Sequence, residues 1–241
     1  TWPRTIEDSL GNEVTLEKKP ERVALLDFGF METVFALNVS PIASILADRS
    51  LYGFGTLKPY SEDAQVEELG NLADVNLEKL LELEPDLIFM TAGGKLDMTT
   101  YEAASKIAPV IAFDISDWKE QLRAFAECLG EEETAETFIA EIETLIEESR
   151  EKLAAYSDKT VALMFETSNR GTFAVEGASD DSVWYNGESG LGLTPPNDPG
   201  TEGSVSLEGL ATMDPDYIFV FGSIGTEENG YEQTYLSEET Q

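Results

Sequence analysis

The sequence predicts an α/β fold in which two lobes with mostly parallel sheets are joined by one long α-helix. The first reason is a segment that occurs twice. Residues 75–89 (VNLEKLLELEPDLIF) and 205–219 (VSLEGLATMDPDYIF) are identical at eight of fifteen positions, without a gap. Tandem solenoids show at least three copies, repeated every 20–50 residues or so. Two copies that start 130 residues apart therefore indicate two similar lobes.

Each copy reads as a helix, a Pro-Asp step and a strand. In the first copy an amphipathic helix carries Leu77, Leu80 and Leu81 and ends at an acidic residue before proline. Proline pushes the residue before it out of the helical region, so the helix stops there. An apolar run of β-branched and aromatic residues follows the Asp and indicates a buried strand. Such units are the parts from which α/β folds are built.

The second reason is residues 131–156, which contain neither glycine nor proline. Their apolar residues follow the helical i, i+3, i+4, i+7 stripe, and they are Phe138, Ile139, Ile142, Leu145 and Ile146. A helix of this length would reach about 39 Å, which is long enough to connect two lobes. We therefore divide the chain into an N-terminal lobe (1–130), a connecting helix (131–156) and a C-terminal lobe (157–241).

The remaining elements alternate between strand and helix. In chain order we predict a hairpin at 5–10 and 13–16, strands at 23–26, 42–46, 87–90, 109–113 and 159–165, helices at 30–37 and 101–107, and loops at 49–60 and 187–203. Strands that alternate with helices imply a mostly parallel sheet.

Composition narrows the function classes. The formal charge is −33, with 48 acidic and 15 basic residues, so nucleic acid and anionic membrane surfaces are poor partners. Solubility in high salt explains this charge as well as a specific use does. The chain has no histidine, which removes the commonest metal ligand and general base. Its single cysteine, Cys128, cannot form an internal disulfide and is expected to be a small buried hydrophobe.

These features together resemble the substrate-binding proteins of iron–siderophore and cobalamin ABC importers, most closely the ferric citrate and hydroxamate branch. The resemblance covers essentially the whole chain. One Pro-Asp step before a strand is a weak signal, but two such units flanking a long helix are a strong one. The family usually has Leu-Gly where this chain has Leu37-Asn38. The matching segments are 19–23 (KPERV), 32–39 (ETVFALNV), Gly70 with 76–78 (NLE), 84–88 (EPDLI), the long helix, 206–208 (SLE) and 214–216 (DPD).

The resemblance implies two Rossmann-like lobes of the class III periplasmic-binding-protein type, with the ligand in the cleft between them. It implies a monomer that captures a ferric siderophore and delivers it to an ABC importer permease. Iron would enter only inside the siderophore, so we expect no cofactor, no protein metal site and no catalytic residue. The protein would be exported, either periplasmic or lipid-anchored at the outer face of the cell membrane. An anchor cysteine would precede Thr1, and a further strand and closing helix would follow Gln241, so we expect a truncated second lobe.

Ligands of open α/β lobes bind at the carboxyl ends of the strands. In this chain that rule selects the short stretches 27–29, 49–52, 91–94, 114–118, 167–173 and 222–223. Arg49 and Arg170 fall in these stretches, one in each lobe, and the planar guanidinium suits carboxylate and hydroxamate oxygens. Lys58 and Lys95 are weaker cation candidates. The alternative for each is a solvated loop cation that offsets the acidic surface.

Aromatic faces would contact the apolar parts of a siderophore. The candidates are Tyr52 and Trp118 in the first lobe and Phe173, Trp184 and Tyr185 in the second. Packing in the core or at its edge is the alternative for each ring.

Glu78 and Glu208 occupy the same position in the two repeat copies. As solvated glutamates in the first turn of a helix, they would stabilise the helix by themselves. The resemblance implies a second role, because the family pairs a glutamate at this position of each lobe with arginines of the permease.

Three other functions stay open at this point. Cobalamin is recognised largely by shape and aromatic contacts, so a cobalamin-binding protein of the same fold is possible. An enzyme on this scaffold would need positioned carboxylates with raised pKa values, but no spacing singles out such a pair, and the Gly-rich stretches lack a phosphate-loop pattern. A signalling or adhesion module could also retain the fold without transport.

Overall fold

The computed structural model describes residues 1–61, 63–93, 98–166, 172–177, 182–197 and 204–220. The chain divides into two compact units, Thr1–Ala140 (unit 1) and Glu141–Gln241 (unit 2). Within the described residues, no helix combines the length and apolar character needed to cross a membrane.

Unit 1 alternates short strands and helices. Its elements are β1 (Arg4–Glu7), β2 (Glu13–Leu16), β3 (Val23–Leu25), α1 (Phe30–Ala36), β4 (Ala43–Ser44), α2 (Ala47–Gly53), α3 (Lys58–Ser61), β5 (Glu67–Glu68), β6 (Gly70–Asn71), β7 (Asp74–Val75), α4 (Leu77–Glu82), β8 (Leu87–Thr91), α5 (Met98–Ala104), β9 (Val110–Phe113) and α6 (Trp118–Leu129). Helix α7 (Glu132–Leu153) begins in unit 1 and ends in unit 2.

Five strands of unit 1 form a sheet in the order β5-β4-β3-β8-β9, and every neighbouring pair is parallel. Successive residues of β3 enter two different apolar clusters, with Leu25 on one face and Ala24 on the other. The Leu25 face is filled by stacked rings, among which Phe125 lies with its centroid 4.2 Å from that of Phe89 and 5.2 Å from that of Phe113. Burial on both faces explains why these strands are continuously apolar in sequence.

The N-terminal hairpin β1–β2 is attached to the edge of this sheet through the loop at its turn. The carboxylate of Asp8, which is only 5% exposed, accepts hydrogen bonds from the backbone amides of Leu10 at 3.0 Å and Asn12 at 2.8 Å. The Ser9 amide donates to the Ala112 carbonyl of β9 at 2.9 Å. The Ser9 hydroxyl in turn accepts a bond from the Asp114 amide at 2.9 Å, which holds the chain where it leaves β9.

Unit 2 contains a mixed sheet. After a 3₁₀ turn (Ala154–Tyr156), its described elements are β10 (Val161–Glu166), β11 (Thr172–Val175), β12 (Ser204–Ser206), α8 (Leu207–Met213) and β13 (Tyr217–Val220). The strand order is β12-β11-β10-β13. The β10–β13 pair is parallel, whereas the β10–β11 and β11–β12 pairs are antiparallel. Only five residues connect β10 to β11, and a parallel crossover needs a dozen or more.

Two predicted segments differ in detail. Residues 49–60, predicted as a loop, overlap the short helices α2 and α3. The predicted helix 131–156 is regular only over Glu132–Leu153, at a length of about 33 Å, and its last residues form the 3₁₀ turn. Along the predicted apolar stripe, Ile139 is buried but Leu145 is 57% exposed.

The two copies of the repeat fold in the same way. Asn76 caps α4 by accepting a bond from the Lys79 amide, and Ser206 caps α8 by accepting one from the Gly209 amide. Glu84 and Asp214, the residues before the two prolines, both have a left-handed φ of 46°. The predicted stop before proline is therefore a turn into the left-handed region, which carries the chain from the helix to the strand.

The aspartate after each proline binds the residues that precede the neighbouring parallel strand. Asp86 accepts bonds from the backbone amides of Glu21, at 3.0 and 3.1 Å, and of Arg22, at 2.8 Å. Asp216 accepts bonds from the Thr160 amide at 2.9 Å and the Lys159 ammonium at 3.1 Å. These contacts occupy amides that no strand partner reaches, and they fix where β3 and β10 begin beside β8 and β13.

We expect the Asp216 contact to give a pH-dependent contribution to stability. The Thr160 amide, and after it the Lys159 ammonium, lower the pKa of the Asp216 carboxyl below its ordinary value of 3.8. A lowered pKa gives a contribution that is complete above the ordinary value and is lost as the pH falls through the folded-state pKa. The free energy of unfolding of Asp216→Asn should therefore lie below that of the wild type near pH 6. The gap should narrow as the pH falls below the ordinary value of 3.8 and close below the folded-state pKa.

Urea unfolding at several pH values measures this gap. Asp63→Asn, a change at an exposed side chain of unit 1, is the matched control and should show little gap at either pH. A gap for Asp216→Asn that stays constant down to the lowest pH would contradict the assignment.

Candidate functional site

The segments that follow the five parallel strands of unit 1 lie along one edge of its sheet, which we call the carboxyl edge. It comprises residues 26–29, 45–49, 68–70, 92–93 and 114–119. Parallel strands all end on the same side, so five segments that are distant in sequence meet here. Ligands of open α/β sheets bind in the crevice outside this edge.

Gly93 closes the end of β8 beneath the carboxylate of Asp114. Its φ is 90°, and a Cβ added there would lie 2.9 Å from Oδ2 of Asp114. Both the backbone conformation and the close approach require glycine at this position. The carboxylate of Asp114 therefore leans over the end of the neighbouring strand, and Asp114 itself is exposed.

Asp27 shapes the turn between β3 and α1. Its Oδ1 accepts a hydrogen bond from the Gly29 amide at 2.8 Å. Phe28, beside it, is half-buried, and its ring centroid lies 6.2 Å from that of Phe54. The strand-end rule selected this stretch, but aromatic content alone did not single out Phe28 or Phe54 as site candidates.

Arg49 and Tyr52 lie in α2, which follows β4. They are three residues apart, so they share one side of the helix. Tyr52 is 60% exposed, and Arg49 is exposed and has no hydrogen bond or ion pair with any residue that the structure describes. The sequence-predicted pair is thus available to a ligand. Lys58, the weaker candidate, is exposed at the start of α3.

Trp118 is the first residue of α6, directly after the segment that leaves β9. Asp117 caps this helix by accepting a bond from the Glu120 amide at 2.8 Å. The indole is half-buried against the core of unit 1, and the Lys119 ammonium nitrogen lies 5.7 Å from the ring centroid. One part of the ring therefore packs while another part remains accessible at the carboxyl edge.

The structure places the predicted aromatic residues of unit 2 differently. Phe173 is 2% exposed and belongs to an apolar cluster with Met164 and Leu210. Tyr185 is 9% exposed, and its hydroxyl donates to the Val161 carbonyl at 2.9 Å. Burial raises the pKa of this phenol. Both rings therefore have packing roles, so the proposed binding surface does not include them.

Trp184 is 36% exposed, but it belongs to a loop anchored at the amino end of β10. Its carbonyl accepts a bond from the Leu193 amide at 3.0 Å, and the next residue, Thr194, accepts one from the Val161 amide at 2.9 Å. The strand-end rule places ligands at the opposite, carboxyl end. The proposed binding surface therefore does not include Trp184, and nothing local to residues 182–194 indicates in the sequence where the loop is attached. Arg170 and Lys95 lie outside the described residues.

Glu78 and Glu208 occupy equivalent positions in the structure as well. Each lies in the first turn of its helix, α4 or α8, and each is exposed. Neither carboxylate forms an ion pair with a residue in the described part of the chain. In the same part of the chain, no group of three or more His, Cys, Asp or Glu side chains could hold a metal ion.

Unit 2 contains a cavity of about 370 Å³ between the end of α7 and the sheet. Leu153, Val161, Leu193, Tyr217 and Phe219 contribute to its largely apolar lining. Arg150 holds its rim by donating to the Gly190 carbonyl from Nε at 2.9 Å. Val161 and Tyr217 are the first residues of their strands, so this cavity lies at the amino end of the sheet, away from the carboxyl ends where ligands bind.

Comparison with known proteins identifies the family. Residues 23–238 match the model of the family described as "Periplasmic binding protein". The match includes most of the chain, and the protein belongs to this family. The family and the α/β fold class predicted from the sequence are both confirmed.

Two relatives show the range of similarity. The ferric-anguibactin-binding protein FatB of Vibrio anguillarum is 30% identical over 184 residues, which cover 72% of this chain and 55% of FatB. The iron(3+)-hydroxamate-binding protein FhuD of Bacillus subtilis is 28% identical over 219 residues, which cover 86% of this chain and 65% of FhuD. The chain thus spans less than two thirds of the length of either relative.

Solved structures share the fold. The iron-uptake ABC transporter substrate-binding protein PiuA of Streptococcus pneumoniae superposes with a TM-score of 0.70 at 24% identity, covering 96% of this chain and 81% of PiuA. The petrobactin-binding protein YclQ of Bacillus subtilis also gives 0.70, at 21% identity, covering all of this chain and 86% of YclQ. Because both sequence identities are below 25%, these similarities show that the fold is shared and do not indicate the ligand or the role.

Proposed function

We propose that this protein is an extracytoplasmic substrate-binding protein that captures a ferric siderophore and delivers it to an ABC importer. The observation that carries the proposal is the family match over residues 23–238, together with relatives whose names specify ferric siderophore complexes as ligands. The carboxyl edge of unit 1 supports it, because Arg49, which forms no ion pair with a described residue, and accessible aromatic rings lie where such folds bind ligands.

Arg49, Tyr52 and Trp118 would contact the organic shell of the complex. The guanidinium of Arg49 donates two parallel hydrogen bonds, which match paired acceptor oxygens such as those of a hydroxamate or carboxylate. The rings of Tyr52 and Trp118 provide apolar faces of large area. Arg170 would supply the second cation in this proposal. The iron is cargo whose ligands come from the siderophore, so binding requires no chemistry from the protein.

The proposal predicts saturable binding of one class of ferric complex. We would titrate the protein with ferric citrate, a ferric hydroxamate, a ferric catecholate, cobalamin and heme, and measure quenching of tryptophan fluorescence. Quenching by one ferric class at submicromolar concentration, with no response to the iron-free siderophore, is the expected result. Saturation by cobalamin or heme alone would assign a different cargo, and turnover of a bound siderophore to a product would instead indicate an enzyme.

Site variants locate the binding surface. Arg49→Gln should weaken binding about tenfold, because a hydrogen bond to a charged group contributes about 1.5–3 kcal/mol. Lys106→Gln, which removes an exposed cation between α5 and β9, before the strand and away from the carboxyl edge, is the matched control and should change affinity little. Equal affinity of the wild type and Arg49→Gln would remove Arg49 from the site and leave the cargo assignment unaffected.

Glu78 and Glu208 are proposed to dock the protein onto the permease. The equivalent placement of two exposed carboxylates, one in each unit, supports this role. One docking charge on each unit would fix the position of the protein on the permease. The remaining acidic surface would mainly speed the encounter between the two proteins. In this proposal the protein is a monomer, exported to the periplasm or lipid-anchored at the outer face of the cell membrane. The family description and relatives named as lipoproteins support that location.

The docking role predicts a separation of binding from transport. A double Glu78→Arg, Glu208→Arg variant should retain wild-type affinity for the cargo but lose about tenfold or more of importer-dependent iron uptake, since like charges at an interface oppose docking. A double Glu82→Arg, Glu151→Arg variant, at exposed residues of α4 and α7, controls for the same change in net charge. Unchanged uptake by the double variant would refute the docking role.

A further inference from the structure

The carboxyl edge of unit 1 is acidic. Within its defined segments, five carboxylates face two cations, Arg49 and Lys119. The carboxylates belong to Asp27, Asp48, Glu68, Asp114 and Asp117. The next residues after this part of β8, 94–97, contain one lysine and one aspartate in sequence and so add no net charge. The local charge therefore has the same sign as the charge of the whole chain.

These carboxylates differ in how far hydrogen bonds within the fold occupy them. Asp117 is occupied as a helix cap, and Glu68 accepts bonds from the amides of Asp48 at 3.2 Å and Gly70 at 2.8 Å. Asp27 and Asp114 differ in position, because they follow β3 and β9, the two strands that flank β8 in the sheet. A ligand resting on the end of β8 would lie between them.

Neither Asp27 nor Asp114 forms an ion pair with a cation in the described ranges. Asp27 accepts only the Gly29 amide, and the carboxylate of Asp114 makes its close approach to a glycine that has no side chain. Both carboxylates remain partly or fully exposed. They would present uncompensated negative charge to any ligand at this edge.

The charge of ferric siderophores depends on their donor groups. Hydroxamates are monoanions that together neutralise the ferric ion, so the net charge of a trihydroxamate complex is set by the rest of its molecule. Catecholates are dianions and leave the complex strongly negative, and citrate complexes retain free carboxylates. A polyanion would meet repulsion from Asp27 and Asp114 at short range, where solvent screens least, and from the whole protein at long range.

We propose that this site selects ferric complexes without net negative charge, neutral or cationic trihydroxamates among them, and rejects polyanionic catecholate and citrate complexes. Asp27 and Asp114 are the residues that determine this specificity. The inference rests on the proposed function and deepens it by naming the charge class of the cargo. Arg49 is compatible with it, because a single guanidinium can donate to hydroxamate oxygens without making the edge basic.

The test compares ligands that differ by one charge. A linear ferric trihydroxamate with a free terminal amine and its N-acetylated form have the same iron centre, and only the first is cationic. At low salt the cationic form should bind the wild-type protein several-fold more tightly, and high salt should reduce this ratio. Ferric tris-catecholate and ferric citrate should bind at least a hundredfold more weakly than either form.

Variants assign the preference to the two carboxylates. Asp114→Asn and Asp27→Asn should each lower the ratio of the two affinities towards one and improve binding of the tris-catecholate. Glu82→Gln removes the same charge at the end of α4 from which the chain enters β8, opposite the carboxyl edge, and should leave the ratio unchanged. Thermal unfolding checks that each variant is folded. If a variant does not fold, the affinities of the two trihydroxamates for the wild-type protein still test the charge selection.

Three results would overturn the inference. Tight binding of the tris-catecholate or citrate complex in preference to both trihydroxamates would contradict the charge selection while supporting the proposed function. A cationic preference that neither aspartate variant alters would remove Asp27 and Asp114 as its cause. If no ferric complex binds the folded protein, the proposed function fails, and the inference fails with it.

Discussion

The hydrogen bonds from Asp86 and Asp216 to the residues before the neighbouring strand hold the repeated unit together in both halves of the chain. In a parallel pair the strands start side by side, and the amides just before the first strand have no ladder partner. Each aspartate supplies that missing acceptor, to the Arg22 amide in unit 1 and the Thr160 amide in unit 2. Because the acceptor is a charged carboxylate, each of these hydrogen bonds is stronger than one between neutral groups.

The rest of each unit follows from this contact. The proline before the aspartate ends the helix, the left-handed residue before the proline redirects the chain, and the aspartate sets the register of the strand pair. The paired residues are Val23 with Leu87 in unit 1 and Val161 with Tyr217 in unit 2. Register at the amino ends determines where the two strands finish, and in unit 1 it places Asp27, after β3, at the same edge as Gly93, after β8. The site depends on a contact at the opposite end of the sheet.

The strongly acidic chain uses several of its cations to hold its own elements together. Lys19 donates to Glu131 at 2.6 Å and Arg123 to Glu136 at 2.7 Å, and these bonds lower the pKa of both glutamates. Arg4 donates to Glu132 as well. All three acids lie at or near the start of α7, where the helix dipole also favours negative charge. The defined segments of the carboxyl edge contain only two cations, Arg49 and Lys119, which agrees with the charge selection inferred for the cargo.

Local signals explain how far the sequence predicts the structure. The Pro-Asp units, the buried strands and the long helix were predictable because proline, helical spacing and apolar runs act within a few residues. Tertiary contacts decided the rest. Residues 49–60 form part of two short helices although Gly53 and Pro59 suggested a loop, and five residues between β10 and β11 impose an antiparallel pair. In the candidate site, Arg49, Tyr52 and Trp118 could be selected by the strand-end rule. Trp184 and Tyr185 could not be placed, because hydrogen bonds that link Tyr185 and Thr194 to Val161, a residue distant in sequence, fix their loop.

The most direct test of the account is amide hydrogen exchange at Arg22 and Thr160, measured in the wild type, Asp86→Ala and Asp216→Ala. The account predicts that each substitution speeds exchange at the amide its aspartate binds, Arg22 for Asp86→Ala and Thr160 for Asp216→Ala. The amide in the other unit should exchange as in the wild type. Wild-type exchange at both amides in both variants would show that the aspartates do not hold the strand starts, and the account of the repeated unit would fail.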